Sequence, residues 1–204
     1  MITISDTRVF GWEAAICGMR NPLNSWDKSD SGYYDEDGGF VIGDADLKLM
    51  ETLSHSGPDH AKFLRFINVT CDIVAPLYWW KQFDTYRVGV EKNSCSTMHR
   101  IHAKEFTMDD FSTDHMDDGD IDLMWVIICN LNEHRKLFIE SKDKEEWYHM
   151  IQLLPECYNQ KRTVQMSYAA VKAMYHARKN HKLDEWRRFC EWAETLPKFK
   201  EICI

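Results

Sequence analysis

Four apolar side chains at every second position, closed by an Ala-Pro pair, constrain the fold of this chain more than any other feature. The apolar positions are Ile67, Val69, Cys71 and Ile73, and the polar positions between them are Asn68, Thr70 and Asp72. Alternation with a period of two is typical of a half-buried β-strand. Pro76 has no backbone N–H to extend the pairing of a strand. The sequence therefore predicts a strand that stops at Pro76 and runs into a helix.

The helix leads into a turn that carries polar side chains which a packed core does not require. Residues 75–100 read APLYWWKQFDTYRVGVEKNSCSTMHR and include Arg87, Asn93 and Ser96. A guanidinium makes bidentate contacts with phosphate, and a carboxamide both donates and accepts hydrogen bonds. The residues alone favour a surface Arg87, a turn Asn93 and a helix-capping Ser96 over a ligand site. The segment is nevertheless the first place to look for a ligand.

The composition places limits on fold and partners. The chain has 204 residues, 44% of them apolar and 28% charged, which predicts one folded domain spanning residues 1–204. A net charge of -8 argues against a nucleic-acid polymer as partner, because such binding neutralises many phosphates. Binding of a single mononucleotide remains compatible with this net charge, because a few local Arg and Lys side chains suffice for one or two phosphates. The sequence has no apolar run long enough for a membrane span and no signal-peptide pattern at Met1, so we expect a cytoplasmic protein.

The cysteines and histidines do not follow a metal-binding pattern. The seven cysteines are widely spaced, and the chain contains neither a C-x-x-C pair nor an H-E-x-x-H motif. The acidic stretch from Asp114 to Asp122 has Trp125 where a calcium loop needs a bidentate Glu. We therefore expect reduced thiols, a solvated acidic loop and no metal site.

Helical periodicity dominates the second half of the chain. Residues 1–43 look irregular or short-stranded, with a turn-rich stretch that we expect to form an ordered loop over a site. Helices are predicted within residues 44–57, 123–140, 142–155, 163–181 and 183–197. In the first of these, Asp44 is predicted to cap and Gly57 to close the helix. The fold class predicted is α+β: a small, mostly antiparallel sheet packed against helices, with a helical C-terminal half.

The signature region resembles that of the flavin-dependent thymidylate synthases. In that family a strand ending in Ala-Pro and a helix precede an Arg-His-Arg-x-x-Ser-x-Asn-x-x-Ser-x-Arg-Tyr run. The matching positions here are Ala75, Pro76, Gln82 and Arg87, and after one inserted residue Asn93 and Ser96. A second match is the Leu154-Pro155 pair, followed at family spacing by Arg178. A third is His60, which stands where the family has a histidine that contacts flavin.

This chain also departs from the family pattern at several charged positions. The replaced positions are Thr85, Tyr86, Val90, Met98 and His99 in the signature run, Lys62 and Arg65 near His60, and Ile151 for the phosphate-binding Arg before Leu-Pro. The residues leave open whether Lys161 or Arg162 supplies the charge that Ile151 lacks. A changed nucleotide substrate is one consequence that these departures allow.

The resemblance implies a function and a set of site residues. The implied activity is reductive methylation of dUMP, with methylenetetrahydrofolate as the carbon donor and NADPH-reduced FAD as the hydride donor. The resemblance assigns His60, Arg87 and Asn93 to binding of FAD. It assigns Gln82, Ser96 and Arg178 to binding of dUMP or a related pyrimidine nucleotide. Arg178 is the implied catalytic residue, because its charge would polarise the uracil ring. The resemblance also implies a homotetramer. Two alternatives are a non-catalytic or altered-substrate homologue that binds nucleotide or flavin, and a helical interaction protein.

Overall fold

The computed structural model describes residues 1–33 and 39–204 of the chain. The strands are β1 (Thr3–Phe10), β2 (Gly32–Tyr33), β3 (Phe40–Val41), β4 (Asn68–Pro76), β5 (Val90–Ser94) and β6 (Asn159–Ser167). The helices are α1 (Trp12–Arg20), α2 (Asp44–His55), α3 (Leu77–Phe83), α4 (Thr97–Arg100), α5 (Asp118–Ser141), α6 (Lys144–Leu153), α7 (Tyr168–Arg178), α8 (Asp184–Ala193) and α9 (Phe199–Cys203).

The strands and helices form the α+β fold that the sequence predicted. Four strands pair in the order β1-β4-β6-β5 as a small antiparallel sheet. The short strands β2 and β3 form a second antiparallel pair, in which Gly32 lies opposite Val41 and Tyr33 lies opposite Phe40. Most of the remaining elements are helices, and they are concentrated in the C-terminal half.

The alternating segment forms strand β4, as predicted. Its apolar side chains are buried, and its polar side chains are half-buried on the other face. Helix α3 follows directly after Pro76, and the indoles of Trp79 and Trp80 are buried with Phe83. The ring centroids of Trp79 and Phe83 lie 5.0 Å apart in a stacked arrangement. These aromatic side chains of α3 therefore pack in the core.

The prediction for residues 1–43 was wrong in part. Instead of irregular structure, the chain begins with the eight-residue strand β1 and the nine-residue helix α1. Helix α1 buries Trp12, Ala15, Ile16 and Met19. Their spacing of three and four residues is the helical period, which marks one face of a helix. Residues 34–38 of the predicted covering loop lie outside the described residues.

The prediction of a helix over residues 163–181 was wrong at its start. Residues up to Ser167 belong to strand β6, and helix α7 begins at Tyr168. Val164 and Met166 are buried while Gln165 between them is exposed, which is the period of a strand. The side chain of Ser167 then accepts a hydrogen bond from the backbone N–H of Ala170 at 3.2 Å and caps the helix.

Two other helix starts differ from their predictions. Asp44 is the first residue of α2, not its cap; the cap comes from Asp30, whose carboxylate accepts hydrogen bonds from the N–H groups of Ala45 (2.8 Å) and Asp46 (3.1 Å). Helix α5 starts inside the acidic stretch that was predicted to be a loop. There the Asp117 carboxylate accepts a hydrogen bond from the N–H of Asp120 at 3.0 Å. Acidic groups at a helix start are favourable because of the helix dipole.

The chain divides into two compact units. The first unit comprises Met1–Thr3, Ile73–Thr85 and Asn93–Thr163, and the second comprises Ile4–Asp72, Tyr86–Lys92 and Val164–Ile204. The prediction of a single domain over residues 1–204 stays a prediction.

Each unit has its own buried apolar side chains. In the first unit, a cluster between α5, α6 and the preceding loop consists of Ile101, Phe106, Phe111, Met124, Ile128, Leu131 and Met150. In the second unit, the ring of Tyr168 packs edge-on against Trp12 at 5.4 Å and Phe199 at 5.6 Å. The start of α7 is thereby fixed by aromatic packing.

All seven cysteines are free thiols. Burial raises the pKa of Cys71 and of Cys203 to about 12, and that of Cys190 to about 11. These three thiols are therefore protonated at neutral pH. In the described part of the chain, no helix combines the length and apolar character needed to cross a membrane.

Candidate functional site

The guanidinium of Arg178 lies against the signature region, at the end of helix α7. Its Nε donates a hydrogen bond of 2.9 Å to the phenolic oxygen of Tyr86. Its central carbon lies 4.9 Å from the ring centroid of Trp186 and 5.6 Å from that of Tyr86. The two rings meet edge-on at 5.9 Å. Two stretches that are 92 residues apart in sequence therefore meet at Arg178.

The hydrogen bond to Tyr86 fixes one edge of the guanidinium. Within the described residues, Nε is the only nitrogen of Arg178 that makes a hydrogen bond. The two terminal nitrogens, with four N–H groups, remain available for carbonyl or phosphate oxygens.

A histidine, His181, lies near Arg178. Burial and the charges of Arg178 and Lys182 lower the pKa of His181. The His181 Nδ1 accepts a hydrogen bond from the backbone N–H of Leu183 at 3.1 Å. His181 is thus neutral at pH 7, and Arg178 carries the charge at this point.

A pocket of about 440 Å³ lies beside the turn that follows Arg87. Its lining residues are Arg65, Asn68, Val88, Gly89, Val90, Glu91, Gln165, Ser167, Ala169, Ala170 and Ala173. Gly89 has φ +70, and a Cβ there would lie 2.6 Å from the Ser167 hydroxyl. A larger residue would therefore be strained and would crowd the wall of the pocket.

A second pocket of about 460 Å³ continues along the same helix. Its lining residues are Ser54, His55, Gly57, Pro58, Ala61, Leu64, Arg65, Ala169, Lys172, Ala173 and His176. Arg65, Ala169 and Ala173 belong to both pockets. We call the two pockets together the α7 groove. Small side chains line part of this groove, and Arg65 places a positive charge where the two pockets join.

The predicted flavin residues of the second unit lie close in sequence to this groove. Arg87 is exposed in the turn whose next residues, Val88 and Gly89, line the first pocket. His60 is exposed in the turn whose neighbours Pro58 and Ala61 line the second pocket. Neither side chain is itself part of the lining. Their assignment to FAD stays a prediction.

The remaining predicted residues belong to the first unit. Gln82 is half-buried on α3, and Asn93 is exposed in β5. The Ser96 hydroxyl accepts a hydrogen bond from the backbone N–H of His99 at 2.9 Å and caps α4. The capping interpretation of Ser96 is confirmed. Ligand binding by Gln82, Asn93 or Ser96 stays a prediction.

Arg162 makes its contacts within the protein. Its Nη1 lies 2.8 Å from Oδ1 of Asp84, and its Nε donates a hydrogen bond to Oε1 of Gln160 at 2.9 Å. The guanidinium also stacks 4.2 Å from the ring centroid of Trp80. Three protein partners already hold this side chain, which argues against Arg162 as a replacement for the charge missing at Ile151.

Sequence reasoning missed most of the groove. Arg65 was noted only as a departure from the family, and Ala169, Ala170 and Ala173 were treated as parts of a helix. Three alanines within five positions of α7 were the available signal, because small side chains on one helix face leave room for a ligand or another backbone.

Comparison with known proteins gave structural neighbours only. No family model matches the sequence, and no curated protein matches it. A crystal structure of thymidylate synthase X from Helicobacter pylori with FAD and dUMP superposes with a TM-score of 0.70 at 12% identity, covering 100% of this chain and 97% of the other. A second structure, of the flavin-dependent thymidylate synthase from Helicobacter pylori complexed with FAD and dUMP, gives 0.68 at 13% identity, covering 99% and 97%.

These neighbours confirm the resemblance at the level of the fold. The likeness extends over the whole chain, so the α+β architecture is that of the flavin-dependent thymidylate synthases. At such low identity the sequence is that of a divergent protein, and fold alone does not establish a reaction.

Proposed function

We propose that this chain is a divergent flavin-dependent thymidylate synthase, which reductively methylates dUMP with methylenetetrahydrofolate and reduced FAD. The observation that carries the proposal is the meeting of Arg178 with Tyr86, directly before Arg87, in a chain with this fold. Arg178, from the second sequence match, thus contacts the position next to Arg87, which belongs to the first. The neighbouring Helicobacter pylori structures hold FAD and dUMP, which supports the same ligand classes here.

The α7 groove fits a flavin dinucleotide. Its two pockets, of about 440 and 460 Å³, lie within the range of ligand sites in proteins. The alanines of α7 and Gly89 keep part of the groove lined by small side chains, which leaves room for an extended ligand. Arg65, at the junction, is placed to contact a diphosphate through charge-assisted hydrogen bonds.

Arg178 would act on the pyrimidine. Its Nε is held by Tyr86, so the terminal nitrogens have a fixed direction. Two N–H groups aimed at a uracil carbonyl would stabilise negative charge on the electron-rich ring from which C5 attacks a carbon electrophile. Preorganisation by Tyr86 and Trp186 would remove the need to order the side chain during the reaction.

The protein itself need not supply a nucleophile or a redox group. The chemistry that a bound flavin supplies is the hydride transfer, with NADPH as the source of electrons. The buried thiols of Cys71, Cys190 and Cys203 are held protonated by their raised pKa values, so they are poor nucleophiles. This is consistent with a reaction that proceeds without a cysteine nucleophile.

A homotetramer is the proposed assembly. Helix α5 exposes Leu123, Trp125 and Val126, whose side chains remain 59%, 51% and 57% accessible in the single chain. Neighbouring exposed apolar side chains of this size favour a protein interface. Gln82, Asn93 and Ser96 would then contribute to sites built from several copies of the chain.

A second candidate function is a nucleotide- or flavin-binding protein without the methylation reaction. It is favoured by one observation: Ile151 has no charge, and Arg162 is engaged by Asp84, Gln160 and Trp80. A charge-assisted phosphate contact is worth about 1.5 to 3 kcal/mol, so its loss would weaken dUMP binding by about one to two decades.

Flavin binding tests the groove directly. Titration of purified protein into FAD, followed by flavin fluorescence and absorbance, should show saturable binding. Ala173→Phe should abolish it, because the ring would fill the junction of the two pockets. Ala45→Phe, at an exposed position of α2, is the matched control and should bind normally. Absence of binding by the wild-type protein, or equal binding by both variants, would contradict this site.

A further inference from the structure

Three metal-ligating side chains converge on the surface of the first unit, between helices α5 and α6. Nδ1 of His134 lies 2.6 Å from Oε2 of Glu146 and 3.2 Å from Nδ1 of His149. The remaining separation, from Nδ1 of His149 to Oε2 of Glu146, is 3.6 Å. The sequence analysis predicted no metal site, and the proposed flavin function does not use these residues.

Hydrogen bonding alone does not account for this triangle. Each Nδ1 carries either one hydrogen or one lone pair in the ring plane. If His134 donates its hydrogen to Glu146, that nitrogen has nothing left to share with His149. If His134 instead accepts from His149, its lone pair faces the carboxylate oxygen at 2.6 Å. One cation bound to all three atoms removes the conflict.

Two of the three separations, 3.2 and 3.6 Å, are close to those between ligands of a small divalent metal, and the third, 2.6 Å, is shorter. Ligand atoms about 2.0 to 2.1 Å from a tetrahedral Zn²⁺ are about 3.3 Å apart. Three atoms with the observed separations lie on a circle of radius about 1.9 Å, so a point about 2.0 to 2.1 Å from each exists just outside their plane. No movement of the helices is needed to reach that point.

The helices present these residues in a pattern suited to metal binding. Glu146 and His149 are three positions apart on α6, the Glu-x-x-His spacing by which helical bundles direct two ligands to one metal. His134 on α5 supplies the third ligand from the facing helix. The three side chains keep 23%, 21% and 46% accessibility for His134, Glu146 and His149, so solvent reaches the site and can supply a fourth ligand.

We propose that His134, Glu146 and His149 form a zinc site that joins α5 to α6. Two imidazoles and one carboxylate favour Zn²⁺ over Mg²⁺ or Ca²⁺, which prefer oxygen ligands throughout. The site tethers the start of α6 to the long helix α5, and metal binding therefore stabilises the folded state by mass action. Sequence reasoning missed it because the search was for H-E-x-x-H and not for Glu-x-x-His with a distant His.

The test uses the full chain without an affinity tag, stripped with a chelator and titrated with ZnCl₂ by calorimetry. One Zn²⁺ per chain should bind at micromolar or lower Kd, and binding should raise the Tm. The double variant His134→Ala/His149→Ala should lose binding by at least a hundredfold, and Glu146→Gln should weaken it about tenfold or more. His99→Ala, an exposed histidine outside the triangle, should bind like the wild type.

A second readout distinguishes a defined site from weak surface binding. Co²⁺ in place of Zn²⁺ should give the intense visible absorption of tetrahedral coordination in the wild type and in His99→Ala, and not in the double variant. Circular dichroism of each variant checks that the helices remain. Failure of the folded wild type to bind Zn²⁺, or unchanged stoichiometry and Kd in the double variant, would overturn the proposal.

Discussion

The phenolic oxygen of Tyr86 accepts a hydrogen bond of 2.9 Å from Nε of Arg178, although the two residues are 92 positions apart in sequence. Tyr86 stands where the resembling family has a histidine of its signature run. The departure that weakened the sequence match thus provides the contact that orients Arg178. Trp186 also contacts this side chain: the central carbon of the guanidinium lies 4.9 Å from the ring centroid of Trp186.

Tyr86 is expected to act as a positioning residue for Arg178. Tyr86→Phe keeps the ring but removes the acceptor oxygen, so we expect a loss of about 1 kcal/mol in the free energy of unfolding. Turnover should fall mainly in kcat, with KM for dUMP changing less, because the terminal nitrogens of Arg178 would lose their fixed direction. Steady-state kinetics and urea unfolding measure the two effects.

A double-mutant cycle separates this role from a general structural one. If the two side chains act together, the effects of Tyr86→Phe and Arg178→Ala on kcat will not add. Additive effects would show that Tyr86 acts independently of Arg178.

Arg65 is expected to contribute to flavin affinity. Arg65→Ala removes the positive charge at the junction of the two pockets and should raise the Kd for FAD by about ten- to a hundredfold, as loss of a charge-assisted hydrogen bond does. Arg65 ends a short 3-10 helix, Ala61–Arg65. Lys62→Ala removes an exposed charge from this helix, outside both pockets, and should leave the Kd for FAD nearly unchanged. Equal effects of the two substitutions would indicate only a general electrostatic contribution.

Asp46 is expected to make stability depend on acid pH. Its carboxylate is buried and lies 2.6 Å from Nε of Arg20. Burial alone would raise its pKa, but hydrogen bonds from Ser31, Ser29 and Arg20 outweigh burial and lower the pKa. A lowered pKa in the folded state gives stability that is present above the unfolded value of about 3.9 and is lost as the pH falls through the folded value.

The corresponding substitution is Asp46→Asn, measured by urea unfolding between pH 3 and pH 7. At pH 7 it should cost about 3 kcal/mol, because Arg20 would be left buried without its partner. The difference from wild type should shrink as the pH falls below about 4. Asp59→Asn, at an exposed position, should show no such pH-dependent difference. If the free energy of unfolding of Asp46→Asn differed from that of the wild type by the same amount at every pH from 3 to 7, this explanation would be contradicted.

The exposed apolar side chains of α5 are expected to form a subunit interface. Four chains of 24.2 kDa would give a particle of about 97 kDa by light scattering. The Val126→Glu variant should have a smaller particle mass than the wild type, because the new charge would be buried in the interface without a partner. Lys136→Glu introduces the same residue at another exposed position of α5 and should leave the mass unchanged. A monomeric wild-type protein would exclude the tetramer.

Local patterns in the sequence predicted much of the fold, and long-range packing explains the errors. The spacing of apolar residues was sufficient to predict β4, α6 and α8, because each of these patterns repeats within a few residues. Strand β6 was not predicted and α7 was started too early, because Val164 and Tyr168 also fit the period of a helix. Only pairing within the sheet decides between strand and helix here.

The site could be predicted only in part. Family spacing identified Arg178, but its partner Tyr86 was seen as a mismatch, since no single-sequence pattern shows which residues meet across 92 positions. The cap of α2 by Asp30 and the groove at Arg65 were missed for the same reason. Both depend on residues that are far apart in sequence and meet only in the folded structure.

Formation of dTMP is the most direct test of the central claim that Arg178 and the α7 groove serve a thymidylate synthase reaction. Purified protein with FAD, NADPH, methylenetetrahydrofolate and dUMP should convert dUMP to dTMP, detected by mass spectrometry. Arg178→Ala should reduce the rate by about a hundredfold or more, while Arg188→Ala, at an exposed position of α8, should not. A protein that binds FAD and dUMP but forms no dTMP, or unchanged turnover in Arg178→Ala, would contradict the account.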